Sequence, residues 1–359
     1  MMPTSPVVVI DGRYRVLNRL FGGGGAGGEV YEVFDDHLGE VAVLKFVHNI
    51  PAGSPWHESR ILRMLADPHI LPIRNAAVAS SGVPYVVTER ATHGTLDAQF
   101  GSTAGIGLGA RSVITWMCQT ALGAARAHGS NLIHNDIKPA NIFLNAEGEA
   151  LLGDFGGASL IPPTATSAIP LQATAETMAP EVAVGWGTPA ATASIASDVY
   201  SLGATTFWLL AGGPAHDFGT AVGFDARRVV VASNALRRLR DVAPHIPMSV
   251  ASVVDRATAV DPTGRYATSL EFAAALSSRV LPRREWHRTN AHPLHLGCWV
   301  GDIAHGGSYC LCIEPGTSPT RCDVVVTHAR SGRRISGECR STPLRSWPQA
   351  VRATIQRLG

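Results

Sequence analysis

Between His134 and Asn141 the chain sets an acid, a lysine and an amide into one short loop, His134-Asn135-Asp136-Ile137-Lys138-Pro139-Ala140-Asn141. Pro139 fixes its own φ and stiffens the bend. A long helix, predicted over Arg111 to His128, leads into it. Lys138 is one of only two lysines in the chain, the other being Lys45, and the remaining 28 basic residues are arginines. Such a bias is expected of a GC-rich genome, in which arginine replaces lysine wherever only charge matters. A planar guanidinium does not replace a compact ammonium where a single phosphate-directed point charge is needed. Both lysines are therefore candidates for chemical necessity.

At 359 residues, two or three folding units are expected. Apolar content of 45% and charged content of 16% describe a soluble globular protein rather than a disordered one. The longest apolar run, Leu202 to Ala215, is shorter than the ~18 residues of a membrane span and reads as a buried helix. No charged n-region precedes the brief apolar stretch Val7 to Ile10, so a cytoplasmic location and no membrane partner are expected. A net charge of +2 is too small to argue for nucleic acid.

From Tyr14 the pattern predicts a strand (14–20), a glycine-rich turn, a second strand (29–34), a turn (35–39) and a third, fully buried strand (41–47). The glycine-rich turn holds Gly23-x-Gly25-x-x-Gly28-x-Val30. Glycines let backbone amides approach phosphates, although a flexible surface loop has the same composition. A dinucleotide fingerprint runs strand, glycines, helix; here a strand follows the glycines. Lys45 ends the third strand within Val43-Leu44-Lys45. A helical stripe over Trp56 to Ala66 carries Glu58 and stops at Asp67-Pro68. Tyr85 to Arg90 reads as a buried strand leaving into a hinge.

Taken in order, the glycine turn, Lys45, Glu58, the His134–Asn141 loop, Asp154-Phe155-Gly156, Met178-Ala179-Pro180-Glu181, Asp198-Val199-Tyr200-Ser201-Leu202-Gly203 and Asp261-Pro262-Thr263-Gly264-Arg265 resemble the motif series of bacterial eukaryotic-like Ser/Thr protein kinases. The resemblance implies an α+β, bilobal fold, with a β-rich N-lobe (11–90) and a helical C-lobe (91–281) after an N-terminal extension (1–10). A small basic, Cys-containing α+β accessory domain (282–359), of no recognised family, comes after the C-lobe.

The resemblance also implies roles. ATP and Mg2+ are the cofactors. Gly23, Gly25, Gly28 and Val30 cover ATP, Lys45 pairs with Glu58, and Thr88, Glu89 and Ala91 border the adenine. Asp136 handles the substrate hydroxyl proton, Lys138 stabilises the transferring phosphoryl, and Asn141 and Asp154 hold the metal. His134, Phe155, Asp198 and the Glu181–Arg265 pair are structural, and Thr174 is the substrate-loop threonine. Protein is the expected substrate. The alternatives are a nucleotide-binding scaffold with weak or lost catalysis, or a kinase acting on something other than protein. Asn135 stands where the family has an arginine that clamps an activation-loop phosphate. Asparagine cannot neutralise that charge, so activity independent of loop phosphorylation is expected.

The tail, 285–359, holds five of the six cysteines and nine arginines against five acids. Cys310-x-Cys312 lies in an alternating strand. Arg321–Thr327 and Arg333–Arg340 predict a hairpin about Ser331-Gly332, with Cys339 opposite Val324. Ser346 is a candidate cap for a closing helix with Trp347, Val351, Ile355 and Leu358 on one side. Four cysteines on one sheet face suggest zinc, but C-x-C with distant single partners matches structural sites poorly. Core packing of free thiols is the preferred reading, with redox sensing a third. The tail arginines read as a solvated surface, with an anionic partner such as nucleic acid the weaker alternative.

Overall fold

A computed structural model describes residues 8–21, 29–47, 65–100, 105–170, 172–303 and 306–359. Gly23, Gly25, Gly28 and Glu58, with most of the predicted 56–66 helix, lie outside the described residues. The N-terminal part is an antiparallel sheet of β1 (Val9–Ile10), β2 (Tyr14–Phe21), β3 (Val30–Asp35), β4 (Glu40–Phe46), β5 (Ile73–Val78) and β6 (Pro84–Glu89), in the order β1-β2-β3-β4-β6-β5. β4 is not buried on both faces, as its apolar run suggested. Ala42 and Leu44 are buried while Val41 is 38% exposed. The sheet is antiparallel with one face to solvent, so only alternate residues enter the core. That core joins Tyr14, Val33, Leu44, Tyr85 and Val87.

Helices dominate the chain beyond this sheet: α1 (Ala110–His128), α2 (Pro180–Gly185), α3 (Ile195–Ala211), α4 (Phe224–Ala232), α5 (Leu239–Val242), α6 (Met248–Ala257) and α7 (Ser269–Ser277). Two small antiparallel ribbons sit among them, β7 (Leu132–Ile133) with β10 (Ser159–Leu160), and β8 (Ile142–Leu144) with β9 (Ala150–Leu152). The apolar run at 202–215 falls largely on α3, which is buried around most of its circumference. No helix among the described residues is long and apolar enough to cross a membrane. Ser194 and Ser197 form a reciprocal cap at the start of α3, satisfying donors that would otherwise be buried without partners.

The tail folds on a separate hydrophobic core. An antiparallel sheet, β11 (Glu285–Thr289), β12 (Gly297–Asp302), β13 (Tyr309–Pro315), β14 (Arg321–His328) and β15 (Arg340–Pro343), runs in sequence order and is covered on one face by α8 (Trp347–Leu358). Val351 and Ile355 are buried, and Trp347 and Leu358 pack beside them, as the helical period predicted. Four expectations change. Ser346 makes no side-chain cap, because a 3-10 turn at Leu344–Ser346 leads directly into α8 and Pro348 occupies its first turn. The predicted strand over 333–340 is interrupted by a 3-10 turn at Ser336–Glu338. Thr327 pairs with Arg334, but Val324 pairs with Arg340 rather than Cys339, the turn having taken up the intervening residues. Finally, the cysteines do not share one face. Cys322 alternates with Val324 and Val326 in the core beneath α8, whereas Cys298 and Cys312 are cross-strand neighbours on the opposite face.

Several contacts dock the tail on the helical lobe. α1 starts at Gly109 with no side-chain cap of its own, and the Glu285 carboxylate accepts from the Arg111 backbone N–H at 3.1 Å. A carboxylate there also meets the positive end of the helix dipole. Trp299, fully buried, donates its indole N–H to His245 Nδ1 at 3.2 Å. Arg352 donates to the carbonyl of Arg240 at 2.6 Å.

Candidate active site

Asp198, fully buried in the first turn of α3, organises the loop from below. Its Oδ2 accepts the backbone N–H of His134 at 2.8 Å and faces His128 Nε2 at 2.8 Å; Oδ1 accepts the backbone N–H of Asn135 at 3.0 Å. Those two amides converge because Asn135 adopts a left-handed conformation, φ 69°, which asparagine tolerates better than most residues. Thr205, also on α3, donates to the carbonyl of Ile137 at 3.0 Å. His134 packs its ring on Phe155 with centroids 4.6 Å apart and faces the Gly153 carbonyl through Nε2 at 3.0 Å. It is fully enclosed by these contacts, as a positioning group would be.

Above this platform the acid, lysine and amide converge. Lys138 Nζ lies 2.8 Å from Asp136 Oδ2 and donates to Thr174 Oγ1 at 2.8 Å. Thr174 in turn donates to Asp136 Oδ1 at 2.6 Å. Asn141 Nδ2 donates to both the backbone carbonyl and Oδ2 of Asp136, at 2.8 and 3.0 Å. Three residues predicted from one loop and a threonine predicted from a distant segment thus form one hydrogen-bonded cluster.

Gln172 joins them, donating to Asp136 Oδ2 at 3.2 Å. Sequence reasoning missed it, since a glutamine in a polar loop carries no signal of its own. Its approach depends on Gly157, where a Cβ would lie 2.7 Å from that of Gln172.

Lys45 on β4 pairs across the sheet with Val30 and Val86. This puts Val30 directly beside the lysine and Thr88 beside Val43 at the hinge end. Lys45 Nζ reaches Asp154 Oδ1 at 2.6 Å. Asp154 is held with φ 57° immediately before Phe155. Burial alone would raise its pKa, but the attraction and hydrogen bond of Lys45, with smaller contributions from His134 and Lys138, bring it below the ordinary carboxylate value. The group therefore stays anionic. At the hinge, the Glu89 N–H donates to the Pro72 carbonyl at 3.0 Å and the Ala91 carbonyl accepts from the Gly94 N–H at 3.2 Å.

Two further predicted groups are structural. Arg265 grips Glu181 through two bonds, Nη1–Oε1 at 2.7 Å and Nη2–Oε2 at 2.8 Å. The same guanidinium donates to the carbonyls of Ala196, Ala259 and Val260 and lies over the ring of Tyr200. Asn135, where a phosphate-clamping arginine was expected, instead donates its amide to the Gly157 carbonyl at 2.8 Å and Ser159 Oγ at 2.9 Å. Neutral hydrogen bonds thus tie the loop to the segment after Asp154.

A two-part fold with a lysine–aspartate pair beneath a β-sheet and an Asp-Lys-Asn cluster on a helical platform defines a protein kinase. The protein kinase domain family model matches residues 15–275, and the chain belongs to that family. It is similar to the probable serine/threonine-protein kinase pknA2 of Bifidobacterium longum, 27% identical over 82% of this chain and 39% of that protein. It is also similar to the serine/threonine-protein kinase PknA of Mycobacterium tuberculosis, 28% identical over 77% of this chain and 63% of that one. The serine/threonine-protein kinase PrkC of Bacillus subtilis is 29% identical over 75% of this chain and 41% of its own length. The chain therefore spans less than two thirds of each of these relatives.

Proposed function

We propose that this chain is a Mg·ATP-dependent protein-serine/threonine kinase. The observation that carries the reading is the shared hydrogen bonding of Asp136, Lys138 and Thr174. It sets a carboxylate for the acceptor hydroxyl and an ammonium for the phosphoryl charge side by side on one buried platform. Phosphoryl transfer asks the protein mainly for positioning and charge neutralisation. Asp136 orients the acceptor hydroxyl and takes its proton, displacing Gln172 or Thr174 from the carboxylate. Lys138 stays beside the acceptor and the transferring group, and Lys45 swings from Asp154 toward the phosphates.

The donor set suits magnesium. Asp154 offers an anionic carboxylate, and Asn141, whose Nδ2 is turned to Asp136, presents its amide oxygen the other way. These hard oxygens match an ion that takes one or two protein oxygens alongside phosphates. Mg2+ bound there supplies charge neutralisation across the phosphates. Autophosphorylation with Mg·ATP tests the assignment, with Lys45→Met as the comparison. Equal incorporation by both proteins would favour the scaffold alternative.

Asn135 makes the loop independent of phosphate. The amide already joins it to Gly157 and Ser159, and Ser159 continues the link to the Ile169 carbonyl at 2.9 Å. Thr164 and Thr166 are exposed and Ser167 is half-buried. Alanine at all three is expected to leave turnover within about twofold of the parent, an energy below about 0.5 kcal/mol; loss of most activity would reject the idea.

The tail acts on the kinase through its dock, a role that regulation fits better than substrate recruitment. Glu285 caps the far end of α1, and 19 helical residues at ~1.5 Å each separate that end from the loop. The dock also has an acid-sensitive member. Burial, then the charges of Arg288 and His287, lowers the His245 pKa from 6.5 to about 3, so the folded protein holds it neutral, with Nδ1 accepting from Trp299.

The unfolded chain binds that proton below about pH 6.5 and the folded chain does not. Stability from this group is therefore full above pH 6.5 and falls as pH drops toward 3. From pH 7 to 5 the loss is about 2 kcal/mol at ~1.4 kcal/mol per pH unit. Denaturant midpoints at both pH values should show it, and His245→Phe should remove this part of the pH slope. An unchanged slope in that variant would reject the assignment.

A further inference from the structure

We propose that His292, His295, Cys298 and Cys312 form a structural zinc site in the tail. The four side chains bring one ligand atom each to within 4.8 Å of one another. Cys298 Sγ lies 3.4 Å from Nδ1 of His292 and 3.4 Å from Nδ1 of His295, and Cys312 Sγ lies 3.5 Å from Nδ1 of His292. A tetrahedral zinc with Zn–S of ~2.3 Å and Zn–N of ~2.05 Å separates sulfur from nitrogen by about 3.5 Å. The sulfur–nitrogen spacings are those of a zinc shell.

Hydrogen bonding among the four groups does not account for this arrangement. A neutral imidazole nitrogen either carries a proton or offers one lone pair, so it serves one partner. Here two sulfurs face the same Nδ1 of His292, and one of them also faces His295. A cation at the common centre satisfies all four at once. Imidazole and thiolate select a borderline-soft metal rather than magnesium or calcium. Four protein ligands close the shell, which marks a structural rather than a catalytic site. Each thiol gives up a proton to solvent on binding, so two thiolates and Zn2+ make a neutral cluster, which suits the buried cysteines.

The fold prepares the site from two separate pieces of chain. Cys298 and Cys312 are direct cross-strand partners on β12 and β13. The histidines stand in the connection from β11 to β12, whose His295 N–H donates to the His292 carbonyl at 3.0 Å, while Leu296 N–H donates to the Ile313 carbonyl at 2.9 Å. Cys310, on the same strand face, pairs with Val300 and Thr327 and is not among the four. Cys322 is in the core on the other face. The ion would hold the β11–β12 connection to β13 one residue from Trp299, the side chain that docks on His245.

Metal analysis of the purified full-length chain tests the proposal without reference to kinase activity. About one zinc per chain is expected for a single closed site. His292→Ala, at an exposed position, and the pair C298S/C312S should each lower zinc affinity by at least about 100-fold, set against the 10–100-fold of outer-shell changes, while Cys310→Ser keeps the parent stoichiometry. Cobalt reconstitution of the stripped parent protein gives an answer that does not depend on any variant folding. It should show a thiolate-to-cobalt charge-transfer band with the visible bands of tetrahedral coordination. A parent chain that binds neither zinc nor cobalt, a cobalt spectrum without the thiolate band, or parent-level zinc in folded C298S/C312S would overturn the site.

Discussion

Asp136→Asn is expected to lower turnover about 10²–10⁴-fold, the range for loss of a positioned acid–base group, with the thermal midpoint nearly unchanged. The asparagine keeps an oxygen to accept from Thr174 or Lys138, so much of the surrounding bonding survives. What it loses is a carboxylate that can hold the acceptor proton. The effect should fall on kcat with little change in the KM for ATP, because Asp136 lies on the acceptor side of the site and Lys45 and Asp154 on the other. Steady-state phosphorylation of a generic basic protein substrate, with melting curves, would separate the outcomes. A variant of parent-like activity would remove Asp136 from the chemistry.

The second large effect is structural. Glu181→Gln leaves the Arg265 guanidinium, 0% exposed at its side chain, without a counter-ion. Breaking a buried pair in this way costs about 3–5 kcal/mol. For a unit of this size that is roughly 6–20 °C in the thermal midpoint. The carbonyls of Ala196, Ala259 and Val260 and the face of Tyr200 remain as partners, which places the result toward the lower end. The double change E181Q/R265M should be less destabilising than Glu181→Gln alone, because it removes the stranded charge together with its partner. A double variant worse than the single by the full cost of losing Arg265 would show that the arginine acts mainly through the carbonyls.

Most of the kinase site was legible in the sequence because its chemistry is local there. Asp136, Lys138 and Asn141 fall in one loop, and Asp154 comes two residues past a short strand, so the resemblance to a motif series could single them out from short stretches of sequence. Arg265 and Glu181 are far apart, and only the resemblance of the surrounding motifs paired them; in the fold that pair makes two hydrogen bonds of 2.7 and 2.8 Å. Asn135 stood out for the arginine it replaces. Its bonds to Gly157 and Ser159 were not foreseen, since they depend on a left-handed backbone at residue 135 and on where the segment after Asp154 returns. The contact of Lys45 with Asp154 joins two parts of the fold that no local pattern connects.

The tail marks the other limit. Periodicity predicted α8 and its buried face, because a helix writes its environment into every third or fourth residue. It misplaced β15, because a 3-10 turn at 336–338 consumes residues without any apolar signature. Strand alternation also hid the sorting of the cysteines, which turns on the register of β12, β13 and β14 and places Cys298 with Cys312 while sending Cys322 to the core.

Residue identity and order by themselves pointed to the protein kinase family, to which the chain belongs, with an added basic, cysteine-rich tail. The chemistry of phosphoryl transfer is carried by residue types at short spacing, and those survive in one dimension. Only the tertiary structure decided that Gln172 leans on the Asp136 carboxylate, that Glu285 caps the helix leading to the loop, and that two histidines of a connection meet two cysteines of neighbouring strands. Each of these is a meeting of side chains from separate segments, set by sheet register and by the docking of one core on another.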